Sequence, residues 1–138
     1  MTCVVDASIA VKWVIPEELS DRADRLRAGY DEMLAPDLLL TEVANALWKK
    51  TARREILPVE ADGAFTLVVE SGIDLRPTAP LLARAMQFAR RLNHSVYDCV
   101  YLALAERERA SFITADRRLL RRVSARRLRL PVVDLRSL

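Results

Sequence analysis

Short apolar runs alternate with longer amphipathic or polar stretches along the whole chain. Five of these runs are predicted to be buried strands: 3–6, 32–36, 73–77, 111–114 and 130–135. The stretches between them predict seven helices: 7–15, 17–30, 37–56, 59–71, 79–93, 95–110 and 115–125. Strands that alternate with helices form βαβ units, in which helices cover both faces of a parallel sheet. The pattern therefore predicts an α/β three-layer sandwich around a central parallel sheet of about five strands, in a single domain over 1–138.

One predicted helix contains an isolated carboxylate. The segment SVYDCVYLALA, residues 95–105, is apolar on nearly every side when it is drawn as a helix, so it is expected to be buried. Asp98 is the only charged residue in this segment. An ionised carboxylate that is buried without a partner is costly, so it usually pairs, becomes neutral or binds a metal.

Four carboxylates are predicted to converge at one edge of the sheet. Asp6 closes the first strand and Asp116 follows the fourth, and ligands of open parallel sheets bind beyond the carboxyl ends of the strands. Glu42 and Asp98 lie in the first turns of their helices, and these helix ends face the same edge. The topology therefore predicts a shared acidic pocket.

Each of these acids also has a purely structural interpretation. Asp6 and Asp116 could cap the helices that follow them. Asp98 stands three residues after Ser95, which is the spacing of a capping-box variant. Glu42 could simply lie near the positive end of its helix dipole. For each of these residues considered alone, the sequence leaves both interpretations open.

Taken together, the four acids favour a metal site. Ser8 and Ser95 are already available as helix caps, and four acids in one crevice would raise one another's pKa values. A hard divalent cation, Mg²⁺ or Mn²⁺, relieves this repulsion and prefers oxygen ligands. Such ions over a phosphodiester generate a hydroxide nucleophile and stabilise the departing oxygen.

Four segments resemble the signature segments of a known family. VVDASIAVKW, LLLTEVANAL, YDCVYLALA and FITADRRLL are similar, in order and separation, to the signature segments of PIN-domain nucleases. The closest likeness is to the VapC-type toxins of bacterial toxin–antitoxin pairs, and it covers nearly the whole chain. The resemblance implies a PIN-like fold, cleavage of RNA with Mg²⁺ or Mn²⁺, a homodimer, and a small antitoxin as partner.

The resemblance also assigns roles to individual residues. All four acidic positions of the family are present: Asp6, Glu42, Asp98 and Asp116. Three of them are expected to hold the metal: Asp6, Asp98 and Asp116. Glu42 is expected to complete the pocket. Polar residues that support the site in this family correspond to Ser8, Asn45 and Thr114.

A row of polar residues leads away from Glu42 along its helix. Asn45 is three residues further on and shares its helix face, and Lys49 and Arg53 continue the row. Such a row could guide a phosphate backbone, or an antitoxin segment, toward the metal. The alternative is a solvated helix end with favourable dipole placement.

The net charge of +3 conceals an uneven distribution. Residues 117–138 contain eight Arg and one Asp, whereas 1–116 have more acidic than basic residues. An arginine-rich tail suggests a polyanionic or acidic partner, so Arg117, Arg118 and Arg121 are candidate contacts for RNA or antitoxin. The alternative is again a solvated helix face. Trp13 and Trp48 are candidates for an antitoxin or dimer surface, although apolar helix positions more often belong to the core.

Composition narrows the class of protein further. Apolar residues make up 51% and charged residues 30%, which is typical of a globular domain and not of a disordered chain. No apolar run reaches the ~18 residues of a membrane span, and the N-terminus lacks a signal-peptide pattern, so a cytoplasmic location is expected. With one His and no CxxC pair, zinc is not expected, and Cys3 and Cys99 are predicted to be buried thiols.

Three other functions remain open from sequence. A phospho-acceptor receiver domain also has an acidic Mg²⁺ pocket, but it needs an acidic pair on the first loop and a Lys before a late Pro, and neither is present. A PIN-like nuclease that matures RNA without being a toxin would share every residue discussed above. A PIN-like module that only binds nucleic acid or protein is disfavoured by the complete acidic set.

Overall fold

A single five-stranded parallel sheet forms the centre of the protein. The computed structural model describes residues 1–138. The strands are β1 (Thr2–Val5), β2 (Glu32–Pro36), β3 (Asp74–Arg76), β4 (Ser111–Thr114) and β5 (Val132–Asp134). Their order across the sheet is β3-β2-β1-β4-β5, and all four pairings are parallel. The predicted α/β sandwich is confirmed, and β1 and β4 flank the point at which the strand order reverses.

Seven helices cover the sheet. They are α1 (Ala7–Val14), α2 (Ser20–Gly29), α3 (Leu38–Ala52), α4 (Pro58–Val69), α5 (Leu82–Leu92), α6 (Val96–Glu108) and α7 (Arg117–Ala125). Short 3₁₀ turns lie at Ala79–Leu81 and Leu135–Ser137. Two predicted helices are too long, because Leu19 and Arg54 adopt left-handed backbone conformations that place them outside α2 and α3. None of the helices is long and apolar enough to cross a membrane.

The side chains of the central strand β1 alternate between the two faces of the sheet, and both faces are covered by helices. Val4 of β1 packs into a large core with α3, α4, α5 and α6, whereas Cys3 and Val5 pack into a smaller core with α1 and α2. Helix α6 is the most buried element, with every residue from Cys99 to Ala105 inaccessible to solvent. This explains the continuous apolar pattern of that segment.

The start of α3 is not capped by the side chain of the preceding residue, Asp37. Asp37 has helical backbone angles and makes no side-chain bond to the first turn of α3. Its Oδ1 instead accepts hydrogen bonds from the backbone N and the hydroxyl of Thr78, which follows β3. The Thr78 hydroxyl oxygen accepts from the backbone N of Leu38, so the cap comes from another loop. A cap supplied by a residue so distant in sequence leaves no local signal.

The two cysteine thiols are predicted to be unreactive in the folded protein. Cys3 and Cys99 are free and fully buried, and burial raises their pKa values to about 12 and about 11. The thiolate is the reactive form of cysteine. Near pH 8, neither thiol of the native protein should therefore react with a chromogenic disulfide reagent in the time that a denatured sample needs to react completely. Rapid reaction of one equivalent in the native protein would contradict this prediction.

Candidate active site

Asp6 occupies the switch point of the sheet, directly after β1. Thr114, the last residue of the neighbouring strand β4, donates a hydrogen bond from Oγ1 to Oδ2 of Asp6 at 3.0 Å. Ser8 donates from Oγ to Oδ1 of Asp6 at 2.6 Å. Two of the three polar residues that were expected to support the site therefore fix both oxygens of one carboxylate.

Asp6 also caps α1, so its structural interpretation is confirmed, and its role as a metal ligand stays a prediction. Its Oδ1 accepts a hydrogen bond from the backbone N of Ile9 at 3.1 Å. The idea that Ser8 and Ser95 take over as caps is wrong. The Ser8 hydroxyl binds the Asp6 carboxylate, and the Ser95 side chain makes no capping bond. The capping bond fixes the Asp6 carboxylate at the start of α1.

Asp98 and Asp116 both lie beside Nε2 of His94. Nε2 of His94 lies 2.7 Å from Oδ2 of Asp98 and 3.7 Å from Oδ2 of Asp116. Oδ1 of Asp116 accepts hydrogen bonds from the backbone N–H groups of Arg118 and Leu119 and thereby caps α7. The capping interpretation of Asp116 is thus confirmed, while its second oxygen turns toward the site.

Asp98 is less buried than the apolar pattern of its segment suggested. It lies in the first turn of α6, just before the buried stretch, and 38% of its side chain is exposed. His94 provides a hydrogen-bond partner at 2.7 Å, and the Ser95 side chain does not. Position at the helix end and pairing with His94 together explain how this carboxylate is tolerated.

Glu42 enters the pocket from α3 and is held by a buried tyrosine. The hydroxyl of Tyr101 donates to Oε1 of Glu42 at 2.6 Å. Burial raises the pKa of the Tyr101 hydroxyl, and the adjacent Glu42 carboxylate raises it further, so this group stays a donor. Tyr101 in turn stacks on Phe112 of β4, with ring centroids 5.8 Å apart.

The electrostatics of the acids show that they share one environment. Burial raises the pKa of Asp6, the hydrogen bonds from Ser8, Ile9 and Thr114 oppose this effect, and the charge of Asp98 adds to it. Burial also raises the pKa of Glu42, and Asp98 and Asp6 contribute in the same direction. Three carboxylates, one directly after β1 and the others on α3 and α6, therefore repel one another.

The donor set fits a hard divalent cation. One ligand atom from each of His94, Asp98 and Asp116 lies within 4.8 Å of the others. Asp6 stands close enough to Asp98 for its pKa to be raised by it, and it supplies two further carboxylate oxygens. Mutually repelling carboxylates with accessible oxygens are the ligands that Mg²⁺ and Mn²⁺ take.

The raised pKa values predict a pH dependence of stability in metal-free solution. Because Asp6 and Glu42 have higher pKa values in the folded chain, their contribution to the free energy of unfolding is full below about pH 4 and is lost as the pH rises through the folded-state values. Asp6→Asn keeps a capping oxygen and should flatten this loss, as measured by urea unfolding in EDTA. Asp24→Asn on the exposed face of α2 should follow wild type. Parallel curves for wild type and Asp6→Asn would contradict the assignment.

The polar row on α3 faces an open recess. Glu42, Asn45 and Lys49 line this recess of about 430 Å³ together with Tyr97 of α6. Lys49 is exposed and makes no ion pair, whereas Lys50 is held 2.8 Å from Glu17. Arg53 is exposed just beyond the end of α3 and does not line the recess.

The remaining predicted contact residues divide into exposed and packed groups. Arg117, Arg118 and Arg121 are exposed on α7, next to Asp116, and none of them forms an ion pair. Trp48 is 62% exposed beside a groove between α3 and α4. Trp13 instead packs on the core, and its indole N–H donates to the backbone oxygen of Ala23 at 2.8 Å. Trp13 is therefore half-buried and packs between α1 and α2.

Sequence reasoning missed three residues of the site. His94 and Tyr101 contact the acids directly, and Arg122 contacts His94 from α7. His94 precedes Asp98 by four residues, a spacing that could have drawn attention to it. The contacts of Tyr101 and Arg122 span 59 and 28 residues, and no local pattern reveals them.

Comparisons with known proteins show the family of this chain. The profile of the PIN domain family matches residues 3–125. Ribonuclease VapC3 of Pyrobaculum aerophilum is 35% identical over 121 residues, which are 86% of this chain and 92% of that protein. The crystal structure of PAE2754 from the same organism superposes with a TM-score of 0.73 at 22% identity, covering 99% of this chain and 94% of that one. A toxin–antitoxin complex from Klebsiella pneumoniae has a TM-score of 0.61 at 15% identity, with 83% and 86% covered.

The chain belongs to the PIN domain family and groups with its VapC ribonucleases. The family, the fold and the class of enzyme predicted from sequence are thereby confirmed. The low-identity structures show the fold alone.

Proposed function

We propose that this chain is a metal-dependent endoribonuclease that hydrolyses RNA phosphodiester bonds and acts as the toxin of a toxin–antitoxin pair. The observation that carries the proposal is the convergence of Asp6, Glu42, Asp98 and Asp116 at the switch point of the sheet. Family membership supports it, because the curated relative is a ribonuclease. Residues 1–138 act as one PIN-like nuclease domain in this proposal.

The residues have distinct roles in the proposed reaction. Asp6, Asp98 and Asp116 would hold Mg²⁺ or Mn²⁺, and the ion would supply an activated water and stabilise charge on the leaving oxygen. Ser8 and Thr114 orient the Asp6 carboxylate. Glu42 lies where the α3 recess meets the acids, and its raised pKa suits it to exchange a proton with water in the site.

Exposed cations flank the acids on two sides and are the proposed RNA contacts. Lys49 lines the recess beside Glu42 and Asn45, and Arg53 lies beyond it. Arg117, Arg118 and Arg121 lie beside Asp116 on α7. Unpaired Lys and Arg bind phosphates with a strong dependence on salt concentration. An acidic antitoxin segment is expected to compete for the same cations.

The partners are proposed from the relatives. One structural neighbour is a toxin–antitoxin complex, which supports an antitoxin partner for this chain. The homodimer implied by the family resemblance, and the cytoplasmic location, stay predictions.

The first experiment is RNA cleavage by purified, antitoxin-free protein. End-labelled RNA is incubated with Mg²⁺, with Mn²⁺, or with EDTA, and the products are resolved at nucleotide resolution. Internal cleavage that requires the metal and disappears in EDTA is expected. Binding of RNA without cleavage of any of several RNAs, by folded protein with metal present, would instead indicate a binding module.

A further inference from the structure

The connection between α5 and α6 holds the only histidine of the chain inside the site. Asn93 ends α5 in a left-handed conformation with a φ of 50°, and His94 follows it. The imidazole is only 5% exposed, because it lies between the first turn of α6 and the side of α7. A nearly buried ring with two polar atoms needs a partner for each of them.

The partners of the ring determine where its proton lies. Arg122 approaches with one guanidinium nitrogen, 2.9 Å from Nδ1 of His94 and 2.5 Å from the backbone oxygen of Asn93. A guanidinium only donates, so Nδ1 must accept. The ring proton therefore resides on Nε2, which donates to Oδ2 of Asp98 at 2.7 Å.

This arrangement leaves one oxygen of Asp98 available. Oδ2 is taken by His94, whereas Oδ1 has no hydrogen-bond partner. Oδ2 of Asp116 lies 3.7 Å from the same Nε2, so both carboxylates lie beside one ring nitrogen, and the ring connects the start of α6 with α7. The packed ring therefore contacts both carboxylates.

We infer that His94 is a positioning residue, whose tautomer is fixed by Arg122 and whose Nε2–H orients Asp98 so that Oδ1 faces the cation. The inference rests on the proposed function and deepens it, since it adds a chain from Arg122 through His94 to Asp98. Partners that orient metal ligands in this way usually contribute 10- to 100-fold to metal affinity.

The competing role for His94 is direct ligation through Nε2. Its ring nitrogen is close enough to the acid oxygens to belong to one ligand set. Direct ligation requires Nε2 to lose its proton, and Nδ1 would then have to carry the proton while facing the donor Arg122. Mg²⁺ and Mn²⁺ also prefer oxygen to imidazole ligands, which favours the positioning role.

Metal binding by matched variants tests the inference. Mn²⁺ affinity is measured by calorimetry for wild type, His94→Leu and His94→Gln. His94→Leu is expected to bind Mn²⁺ about 10- to 100-fold more weakly. His94→Gln places an amide N–H near the position of Nε2 and should recover most of the affinity. Arg122→Leu should weaken binding, whereas Arg126→Leu, one helical turn further on and exposed, should not.

Nitrogen NMR of the imidazole reads the tautomer directly. Because the chain has a single histidine, one pair of ring ¹⁵N signals is expected without assignment work. Wild type should show the proton on Nε2 both with and without Mg²⁺, and Arg122→Leu should show a mixture of tautomers. A proton on Nδ1, or a Nε2 signal that becomes metal-bound on addition of Mg²⁺, would overturn the inference.

The outcomes separate this inference from the proposed function. Wild type that neither binds Mn²⁺ nor cuts RNA would contradict the proposed function, and the NMR result would still decide the tautomer. Equal Mn²⁺ affinity of wild type and His94→Leu, with intact RNA cleavage, would contradict only the role of His94.

Discussion

Asp98→Asn is expected to reduce metal-dependent RNA cleavage by more than about 100-fold. Losing a partner that merely orients a metal ligand costs roughly 10- to 100-fold in affinity or activity, so loss of the ligand's charge should cost more. Asn keeps an oxygen that can accept the hydrogen bond from Nε2 of His94, so the contact to the ring is retained in kind. The measurement is the initial rate of cleavage with saturating Mn²⁺.

The same substitution should not destabilise the metal-free protein. The charge of Asp98 raises the pKa values of Asp6 and Glu42, which reflects repulsion among the three carboxylates. Removing one charge relieves it, so at neutral pH in EDTA the variant should unfold at an equal or higher urea concentration than wild type. This combination, lost activity with undiminished stability, is characteristic of a residue that serves chemistry.

Asp24→Asn is the matched control, because it removes the same charge from the exposed face of α2. It should change neither rate nor stability. Induced in bacterial cells, wild type should arrest growth and Asp98→Asn should not, which extends the test to the toxin role. Cleavage by Asp98→Asn at the wild-type rate would show that Asp98 does not hold the metal, or that a contaminating nuclease cuts the RNA.

Phe112→Ala is expected to produce the largest loss of stability, about 3–5 kcal/mol. Phe112 lies on β4 with 1% exposure, in the core that α6 covers, and its ring stacks on that of Tyr101. The substitution leaves a cavity that the rigid sheet cannot close. Because the free energy of unfolding of a small domain is only about 5–15 kcal/mol, the variant should be close to unfolding. Urea unfolding followed by fluorescence measures the change.

Phe112→Ala should also disturb the active site, because Tyr101 connects Phe112 to Glu42. Its hydroxyl holds Glu42, so a tilt of the tyrosine ring displaces that carboxylate. Leu67→Ala on α4, where Leu67 is 57% exposed, is the control and should cost less than about 0.5 kcal/mol. A loss below about 1 kcal/mol for Phe112→Ala would contradict the packing described for this core.

The sequence predicted the fold and the four acids because both depend on local pattern plus one topological rule. Asp6 and Asp116 follow apolar β-branched or aromatic strands, and parallel strands bring their carboxyl ends to the same edge. Glu42 and Asp98 were placed by the same rule, since their helices begin at that edge.

Contacts between side chains of distant elements could not be predicted in this way. The bond from Tyr101 to Glu42 and the bond from Arg122 to His94 depend on how helices pack across the sheet. Trp13 shows the same limit, because the sequence favoured a core position for it but did not reveal that it packs between α1 and α2. Periodicity identifies an apolar position but not the neighbour that covers it.

The two edges of the sheet limit how a second copy can attach. Edge strands β3 and β5 have three residues each, and each bears a charged pair: Asp74 with Arg76 on β3, and Asp134 of β5 with Arg136. Pro131 immediately precedes β5 and lacks a backbone donor. Short, charged edges resist strand addition and the fibrous aggregation that follows from it. A homodimer of this chain is therefore expected to join through helix faces, so that each protomer keeps its own five-stranded sheet.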